Sequence, residues 1–399
     1  MNKNQHIPQG YKDSPLGIIP EDWEVKRLGE ISKLYSGGTP KSGNPLYYNG
    51  TIPFIRSGEI SQNKTELFLT QNGIDNSSAK YVEKGDILYA LYGANSGQCA
   101  LSKINGVINQ AILCIRPKAD RYYVMAFLQL NKDHYYNAFL QGGQGNLSGE
   151  IVSNYNIAIP PLPEQQRIVS VLQLWDTAIE KQTQLVEKLT LRKRGLMQQL
   201  LTGGKRLKGF EGKWKEVKLG EIATFFSGGT PKSSNKSYYN GDIPFIRSGE
   251  IDKNKTELFI SQEGINNSSA KIVEKGDILY ALYGATSGQC SMSKIQGAIN
   301  QAILCIRPNA NRYFIMSILQ LNKENYYNSY LQGGQGNLSG EIVSNYIISI
   351  PTNDEQNAIA SVLIQADKEI ELANKKLRNL QTQKKGLMQV LLTGKKRVK

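Results

Sequence analysis

Four glycine-rich segments of this 399-residue chain carry the side chains with recognisable chemistry. They are SGGTPKSGNPLYYNG at 36–50, IRSGEI at 55–60, LYGANSGQ at 91–98 and LQGGQGNLSGE at 140–150. Each combines glycines, which let the backbone approach a surface closely, with Asn, Gln, Arg, Lys or Tyr. Asn and Gln pair with adenine, whereas Arg and Lys pair with guanine or with phosphate oxygens. Each segment alone also fits ordinary turn chemistry, but together they indicate a DNA interface.

These segments occur twice, because residue n returns as residue n + 191 along the chain. Trp23 returns as Trp214 and Cys99 as Cys290, and residues 140–155 recur unchanged at 331–346. One polypeptide therefore carries two copies of one unit. Such a chain can act like a dimer and address a partner that is itself two-fold.

The predicted DNA contacts follow from the same segments. In the first copy they are Gly38, Thr39, Lys41, Arg56, Lys64, Tyr92, Asn95, Gln98, Gln141, Gln144 and Asn146. In the second copy they are Gly229, Thr230, Lys232, Arg247, Lys255, Tyr283, Thr286, Gln289, Gln332, Gln335 and Asn337. The cations Lys41, Arg56 and Lys64 are assigned to phosphates. The amides Asn95, Gln98, Gln144 and Asn146 are assigned to base edges.

Enzyme motifs are missing from the sequence. It contains no G-x-x-x-x-G-K-[ST], no H-E-x-x-H, no cysteine cluster and no N/D-P-P-Y/F motif of an adenine methyltransferase. His134 is replaced by Asn325 in the second copy. The cysteines lie in runs such as AILCIRP and are predicted to be buried, reduced thiols. We expect no catalysis and no metal or cofactor on this chain.

The net charge of +14 is unevenly placed, because residues 192–218 carry +7 and residues 375–399 carry +9. Complementing a helix dipole explains part of this excess. The remainder indicates a polyanion or an acidic protein partner. Without a run of 18 apolar residues or an apolar signal-peptide core, we expect a cytoplasmic chain with no membrane partner.

Two long segments have the 4-3-4-3 apolar spacing of coiled-coil helices. The first seam contains Ile168, Leu172, Trp175, Ile179, Val186, Leu189 and Leu196, and the second contains Ile359, Leu363, Ile370, Leu377, Leu380 and Leu387. A compact second unit whose ends lie close together would make the pair antiparallel. Each helix would span roughly 57 Å at about 1.5 Å per residue, with one globular unit at each end about a pseudo-two-fold axis. Lys193 and Lys384 interrupt the seam, either to fix its register or because a frayed end tolerates them.

The predicted fold is therefore α+β, with two target-binding α/β domains and a long antiparallel two-helix coiled coil. Strands are predicted at 52–56, 86–92, 107–116 and 155–159, and a helix is predicted at 122–140. The predicted organisation is an extension at 1–22, a domain at 23–163, a helix at 164–203, a linker and second domain at 204–353, and a helix with a basic tail at 354–399.

The ordered motifs resemble those of the specificity (S) subunits of type I restriction-modification enzymes. The resemblance is carried by GGTPK, IPFIRSGEI, YGANSGQ, NQAILCIRP, LQGGQGNLSGEIVSNYNIAIPPLPEQQRIVSVL and GLMQQLLTG. It implies two target-recognition domains that each read half of a bipartite double-stranded DNA sequence, and helices that set the spacer and dock two methyltransferase subunits. Those partners would use S-adenosylmethionine to methylate adenine N6, and motor-nuclease subunits would use ATP and Mg²⁺.

Two departures from the family pattern carry expectations. Family members usually have dissimilar recognition domains, whereas these copies share nearly all predicted contacts, so we expect an interrupted palindrome or close to one. The copies differ at Ser42 to Leu46 against Ser233 to Ser237, and at Asn95 against Thr286. A recent duplication would give the same similarity. PTNDEQN at 351–357 replaces PPLPEQQ at 160–166, so docking at the two helix starts is not expected to be equal.

Two other classes of function fit the same residues. A stand-alone DNA-binding regulator would use the two copies to recognise an inverted repeat. An interaction scaffold would use its loops to bind protein, and would show no salt-dependent affinity for DNA.

Overall fold

The computed structural model describes residues 7–140, 147–326 and 338–398, and the chain divides into two compact units. Unit 1 comprises Met1–Thr183 and Lys376–Lys399, and unit 2 comprises Gln184–Lys375. Each unit mixes short helices with small sheets, which confirms the predicted α+β class. Within the described ranges, no helix has both the length and the apolar character needed to cross a bilayer.

Unit 1 contains twelve short strands among its described residues. They are β1 Tyr11–Lys12, β2 Ile19–Pro20, β3 Glu24–Arg27, β4 Ser32–Ser36, β5 Tyr48–Ile55, β6 Leu67–Leu69, β7 Lys80–Val82, β8 Ile87–Ala90, β9 Cys99–Leu101, β10 Gly106–Ile108, β11 Ile112–Pro117 and β12 Asn156–Ile159. Its helices begin with α1 Leu28–Ile31, α2 Gln71–Asp75, α3 Arg121–Leu130, α4 Lys132–Leu140 and α5 Gly149–Ser153. The long helix α6, Leu162–Leu200, continues from unit 1 into unit 2.

Unit 2 repeats this order. Its strands are β13 Lys215–Lys218, β14 Ala223–Ser227, β15 Ile243–Ile246, β16 Leu258–Ile260, β17 Lys271–Val273, β18 Ile278–Ala281, β19 Cys290–Met292, β20 Gly297–Ile299, β21 Ile303–Pro308 and β22 Ile347–Ile350. Its helices are α7 Leu219–Ile222, α8 Gln262–Asn266, α9 Arg312–Leu321, α10 Gly340–Ser344 and the long α11 Asn353–Leu391, which ends in unit 1.

Two four-stranded sheets form the centre of each unit. In unit 1 their strand orders are β6-β5-β10-β7 and β4-β11-β8-β9, and unit 2 has the equivalent orders β16-β15-β20-β17 and β14-β21-β18-β19. All neighbours pair antiparallel except β5 with β10 and β15 with β20, which are parallel. A further pair, β3 with β12 in unit 1 and β13 with β22 in unit 2, leads into the long helix.

Strand β8 shows why the apolar runs of the sequence are buried on both faces. Ile87 and Tyr89 pack into the core beneath α3, whereas Leu88 and Ala90 pack into the core next to the other sheet. Side chains alternate between the two faces of a strand, so a strand between two cores must be apolar throughout. The sequence ILYA at this position is fully buried.

The four cysteines are free and buried, as predicted. Burial raises the pKa of the Cys99 thiol to about 12 and that of Cys114 to about 11. Both thiols therefore stay protonated at neutral pH and act as small apolar side chains.

Two predicted elements are divided in the structure. The strand predicted at 107–116 is wrong as one element, because β10 and β11 belong to different sheets. Asn109 makes the turn between them, since its Oδ1 accepts from Ala111 N at 3.1 Å and its carbonyl accepts from Ile112 N at 3.3 Å. The helix predicted at 122–140 divides into α3 and α4 at Asn131, whose Nδ2 bonds the Phe127 carbonyl.

The long helices α6 and α11 pair antiparallel within each unit, as predicted. In unit 1 the end of α11 places Met388, Leu391 and Leu392 in the same core as Ile168 and Leu172. In unit 2 the end of α6 places Leu200 and Leu201 in the core that contains Ile359 and Leu363. All predicted seam residues are buried or half-buried: Ile168, Leu172, Trp175, Ile179, Val186, Leu189, Leu196, Ile359, Leu363, Ile370, Leu377, Leu380 and Leu387.

The two seam lysines bind aspartates of the opposite helix. In unit 1 Lys384 Nζ bonds Asp176, which also accepts a hydrogen bond from the Tyr122 hydroxyl of α3. The Lys384 side chain is only 15% exposed. Unit 2 contains the equivalent set, Lys193, Asp367 and Tyr313, with the Lys193 Nζ to Asp367 Oδ1 distance at 2.5 Å. The network therefore ties the register of the helix pair to the globular part, and favours the register role of the lysines over tolerance at a frayed end.

Part of the basic charge after each long helix is neutralised internally. Arg397 makes a bidentate contact with Glu164, at 2.7 Å to each oxygen, and a second with Asp22. Arg206 makes the equivalent bidentate contact with Glu355 at 2.6 Å. These two arginines need no external anion. The expectation of a polyanion at these segments therefore rests on their exposed lysines: Lys205, Lys208, Lys213, Lys215, Lys218, Lys395 and Lys396.

The glutamine at each helix start keeps the same two contacts although PTNDEQN replaces PPLPEQQ. Gln165 donates to the Pro160 carbonyl at 2.8 Å and accepts from Asp120 N at 2.9 Å. Gln356 repeats this arrangement with Pro351 and Asn311. The shared Glu-Gln pair therefore has a structural role, and the difference between the two starts is confined to the exposed positions.

Asp176→Asn should destabilise unit 1, because it leaves the Lys384 ammonium, largely buried, without its counter-charge. We expect a loss of about 1–3 kcal/mol of unfolding free energy, measured by urea denaturation. Adding Lys384→Met should recover part of this loss. Glu187→Gln, an exposed change on the same helix, is the control. Equal stability of Asp176→Asn and the control would show that the seam lysine is merely tolerated.

Candidate nucleic-acid interface

The predicted loops of unit 1 converge on the segment 91–98. Thr39 of the SGGTPK loop donates its hydroxyl to Gln110 Oε1 at 2.5 Å. Gln110 also hydrogen-bonds the Tyr92 hydroxyl, which partly offsets the rise in the pKa of Tyr92 that burial causes. Leu147, the first described residue after the GGQG loop, donates its N–H to the Leu91 carbonyl at 3.2 Å. Three segments that are far apart in sequence therefore meet at one place.

The IRSGEI turn lies beside the same segment. Asn95 Nδ2 is 3.7 Å from the position that a Cβ atom on Gly58 would take. The loop 91–98 closes on itself, since Ala90 N donates to the Gln98 carbonyl and Gly97 N to the Ala90 carbonyl. Gly97 has a φ of +77°, which side chains rarely adopt, so the glycine is required by the turn itself.

Gly38 and Gly229 have a packing role. Both are buried, and a Cβ atom on Gly38 would lie 2.6 Å from Ser78 Cβ. The equivalent distance from Gly229 to Ser269 Cβ is also 2.6 Å. The space beside each glycine is filled by the protein itself, so packing alone requires glycine here, and contact of Gly38 and Gly229 with DNA stays a prediction.

Arg56, which the sequence assigns to a phosphate, is bound by two carboxylates. It contacts Glu59, with Nη2 to Oε1 at 3.1 Å, and also Glu66. Burial raises the pKa of Glu59, but hydrogen bonds from Arg56 and from backbone N–H groups outweigh it and hold this pKa below its usual value. Arg247 has the equivalent partners Glu250 and Glu257. Arg56 and Arg247 therefore have a structural role in the IRSGEI turn, and their contact with DNA stays a prediction.

The arginine of the NQAILCIRP motif is also structural. Arg116 makes contacts of 2.7 to 3.0 Å with the Asp86 carboxylate, which is fully buried. Arg307 and Asp277 repeat the pair in unit 2. Some of the charged residues that the two copies share therefore recur because they pair with buried carboxylates of each unit.

Several predicted side chains reach solvent at the loops. The exposed ones are Thr39, Lys41, Lys64, Gln98, Thr230, Lys232, Lys255 and Gln289, and the half-buried ones are Tyr92, Asn95, Tyr283 and Thr286. Gln141, Gln144 and Asn146, with Gln332, Gln335 and Asn337, lie outside the described residues. Donors, acceptors and cations are thus presented together, as a nucleic-acid interface requires.

Sequence reasoning missed two residues of each cluster. Gln110 and its copy Gln301 connect the loops, but they lie in a motif that was interpreted as a buried strand. Lys132 packs its side chain on Gly97, with Cγ 3.3 Å from the position of a Cβ atom, and Lys323 packs on Gly288 in the same way. The helical spacing around Lys132 gave no indication that it meets a loop 35 positions earlier.

Comparison with known proteins identifies related chains. The profile of the type I restriction modification DNA specificity domain matches residues 20–190 and again 211–382. The type I restriction enzyme MjaVIII specificity subunit of Methanocaldococcus jannaschii is 26% identical, over 96% of this chain and 94% of its own length. The HindI specificity subunit of Haemophilus influenzae is 22% identical, over 80% of this chain and 87% of its own length.

Solved structures share the fold. The S subunit of a type I restriction-modification system from M. genitalium matches 92% of this chain and 96% of its own, with a TM-score of 0.59 and 16% identity. A chain from a structural study of assembly and conformational transition in a type I system matches with a TM-score of 0.60 and 18% identity, over 94% and 99% of the two chains.

The structure separates cations available to phosphates from cations that are already paired. A plot of the logarithm of the DNA association constant against the logarithm of salt concentration has a negative slope. Lys41→Gln and Lys64→Gln should each make this slope shallower by about 1, with little effect on the free energy of unfolding. Arg56→Gln should lower the unfolding midpoint, because it leaves the buried Glu59 without its main partner. Salt titrations and thermal unfolding measure the two effects.

The exposed helix residue Lys181 provides the control, since Lys181→Gln should change neither quantity. An unchanged salt slope in Lys41→Gln and Lys64→Gln would remove both lysines from the interface.

Proposed function

Because this chain belongs to the family of type I restriction-modification DNA specificity subunits, we propose that it is the DNA-reading component of such an enzyme. Each unit reads one half of a bipartite target in double-stranded DNA. The observation that supports this proposal most directly is the loop cluster around residues 91–98, which combines exposed lysine and amide groups with a half-buried tyrosine and is repeated around 282–289.

The proposed interface contains side chains with distinct roles. Lys41 and Lys64 contact phosphates, and Lys232 and Lys255 do so in unit 2. Tyr92, Asn95, Gln98 and their copies Tyr283, Thr286 and Gln289 lie nearer to base edges, and Thr39 and Thr230 orient the loops through Gln110 and Gln301. The amides Gln141, Gln144, Asn146, Gln332, Gln335 and Asn337, which lie outside the described residues, keep their sequence-based assignment to bases.

Chemistry on the DNA is assigned to partner subunits. Two methyltransferase subunits would transfer a methyl group from S-adenosylmethionine to adenine N6. Motor-nuclease subunits would use ATP and Mg²⁺ in the complete enzyme. This chain supplies the sequence selectivity, and a role on chromosomal or invading DNA would place it in the cytoplasm.

The long helices are the proposed docking surface for the methyltransferase subunits. They expose leucines that no core of the protein covers, with Leu174 71% exposed and Leu191 and Leu372 each 66% exposed. A docked subunit would cover these leucines and remove their apolar surface from water. The copies of these positions are Gln365, Thr382 and Lys181, so the two docking surfaces are proposed to differ.

The target is proposed to be close to an interrupted palindrome. The helix contacts are reciprocal, because Asp176 of the first copy holds Lys384 of the second and Asp367 of the second holds Lys193 of the first. Exchange of equivalent contacts is a property of isologous, two-fold association. Two readers that share nearly all of their predicted contacts prefer similar half-sites, which we propose to lie on opposite strands.

Selection from a random DNA pool by the chain with its methyltransferase should return two inverted half-sites that agree at all but one or two positions. Binding should weaken log-linearly with salt, with a slope of about −0.9 for each phosphate contacted. Two unrelated half-sites would refute the palindrome while leaving DNA recognition intact. Salt-independent binding would instead favour the scaffold function.

Replacing exposed leucines by the residues of the other copy tests the docking surface. Leu174→Gln and Leu372→Lys should weaken methyltransferase binding by about tenfold, since each removes one to two kcal/mol of apolar contact. Copurification and calorimetry measure the stoichiometry and affinity. Leu46→Ser, an exposed leucine of the recognition loops, is the control that should leave docking unchanged. If the chain is a stand-alone regulator, no methyltransferase subunit should copurify with it.

A further inference from the structure

Unit 2 contains a cavity of about 330 Å³ beside the LYGATSGQ loop. The polar side chains at its wall include Asp252, Gln289, Ser291 and Lys323. Asp252 follows the IRSGEI turn, and Gln289 ends the loop on which the other loops converge. The cavity therefore lies within the loop cluster that is proposed to face DNA.

The wall of the cavity is held by groups with fixed partners. Lys323 lays its aliphatic stem on Gly288, with Cγ 3.3 Å from the position of a Cβ atom. Gln320 donates from Nε2 to the Cys290 carbonyl at 3.0 Å and is therefore part of the structure. Burial raises the pKa of the Cys290 thiol to about 12, and the Lys323 charge acts against this rise.

Three complementary groups at the cavity are unused by the protein. Among residues 7–140, 147–326 and 338–398, no hydrogen bond or ion pair involves the Asp252 carboxylate, the Gln289 amide or the Lys323 ammonium. Asp252 and Gln289 are exposed, and Lys323 is half-buried. An acceptor-only group, an amide and a cation thus line one cavity, and none of them is paired within the part of the chain that the structure describes.

Unit 1 differs from unit 2 at this place in two residues. Gln98 and Lys132 repeat Gln289 and Lys323, but Ser61 replaces Asp252 and Ala100 replaces Ser291. A serine hydroxyl both donates and accepts, whereas a carboxylate only accepts. The charge of Asp252 also disfavours a phosphate at this position, so the cavity of unit 2 fits a base edge better than the backbone.

We infer that Asp252, with Gln289 and Lys323, forms a base-edge site that requires an exocyclic amino group, and that Ser61 leaves the equivalent position of the other half-site unrestricted. In the major groove such amino groups are cytosine N4 and adenine N6, whereas guanine O6 and thymine O4 would face the carboxylate as acceptors. The target is then a palindrome broken at one position. This inference rests on the proposed DNA-reading function.

The test is selection from a random DNA pool by the wild-type complex with methyltransferase and by complexes that contain Asp252→Ser or Ser61→Asp. The wild type should prefer cytosine or adenine at one position of one half-site by about tenfold or more. Asp252→Ser should remove this preference and make the consensus symmetric. Ser61→Asp should create it in the other half-site, and the recovered base identifies which amino group is bound.

The control is Asp242→Ser, an exposed acid of unit 2 that does not line the cavity, which should leave the consensus unchanged. Because Asp252 is exposed and has no partner among the described residues, its variant should keep the wild-type unfolding midpoint. A symmetric consensus for the wild-type complex would overturn the inference. So would an Asp252→Ser variant that keeps the wild-type consensus, or one that only binds all sequences more weakly. If the wild-type complex selects no sequence at all, the proposed DNA-reading function is overturned as well.

Discussion

The structure depends on the apolar seam between the long helices α6 and α11. Through this seam, each unit packs against the end of a helix that belongs to the other copy of the repeat. Leu391 and Leu392 are buried in unit 1, and Leu200 and Leu201 are buried in unit 2. Full burial of one such side chain contributes about 1.5–3 kcal/mol. The ion pairs of Lys193 and Lys384 lie on the same helices, so a shift in register would separate charges as well as expose leucines. Packing and charge therefore specify one alignment.

The coarse architecture could be predicted from the sequence because it depends on periodicity. The heptad spacing from Ile168 to Leu196 identifies a helix seam, and the repeat offset supplies its partner. The contacts of Asp176 could not be predicted, since Tyr122 lies 54 positions away and Lys384 lies 208 positions away. Nothing local in the sequence indicates such a triad. The strand boundary at Asn109 was missed for a different reason, because one short polar interruption does not break an apolar pattern that continues on both sides.

A residue of the site can recur in both copies for two reasons: because the fold needs it, or because the proposed DNA contact needs it. Arg56 recurs because its turn needs the pair with Glu59, and Gly38 recurs because Ser78 fills the space beside it. Lys41 and Gln98 recur too, but their side chains are exposed, and no hydrogen bond or ion pair to the described part of the chain accounts for them. Sequence alone cannot separate these groups, since a structural arginine and a phosphate-binding arginine look alike. The exchange of Ser61 for Asp252 has no distinguishing mark in the sequence, because it is one of many differences between the copies and only the fold places it at the cavity.

The covalent path has a mechanical consequence. The chain passes between the two units twice, once within α6 after Thr183 and once within α11 after Lys375. A protease that cuts one of these helices leaves the other as an intact tether, so a single nick does not release either unit. The same double connection between the units limits how recombination can exchange one unit for another. Replacing unit 2 as a whole requires exchange of an internal stretch with two junctions, both inside helices whose seams must still match.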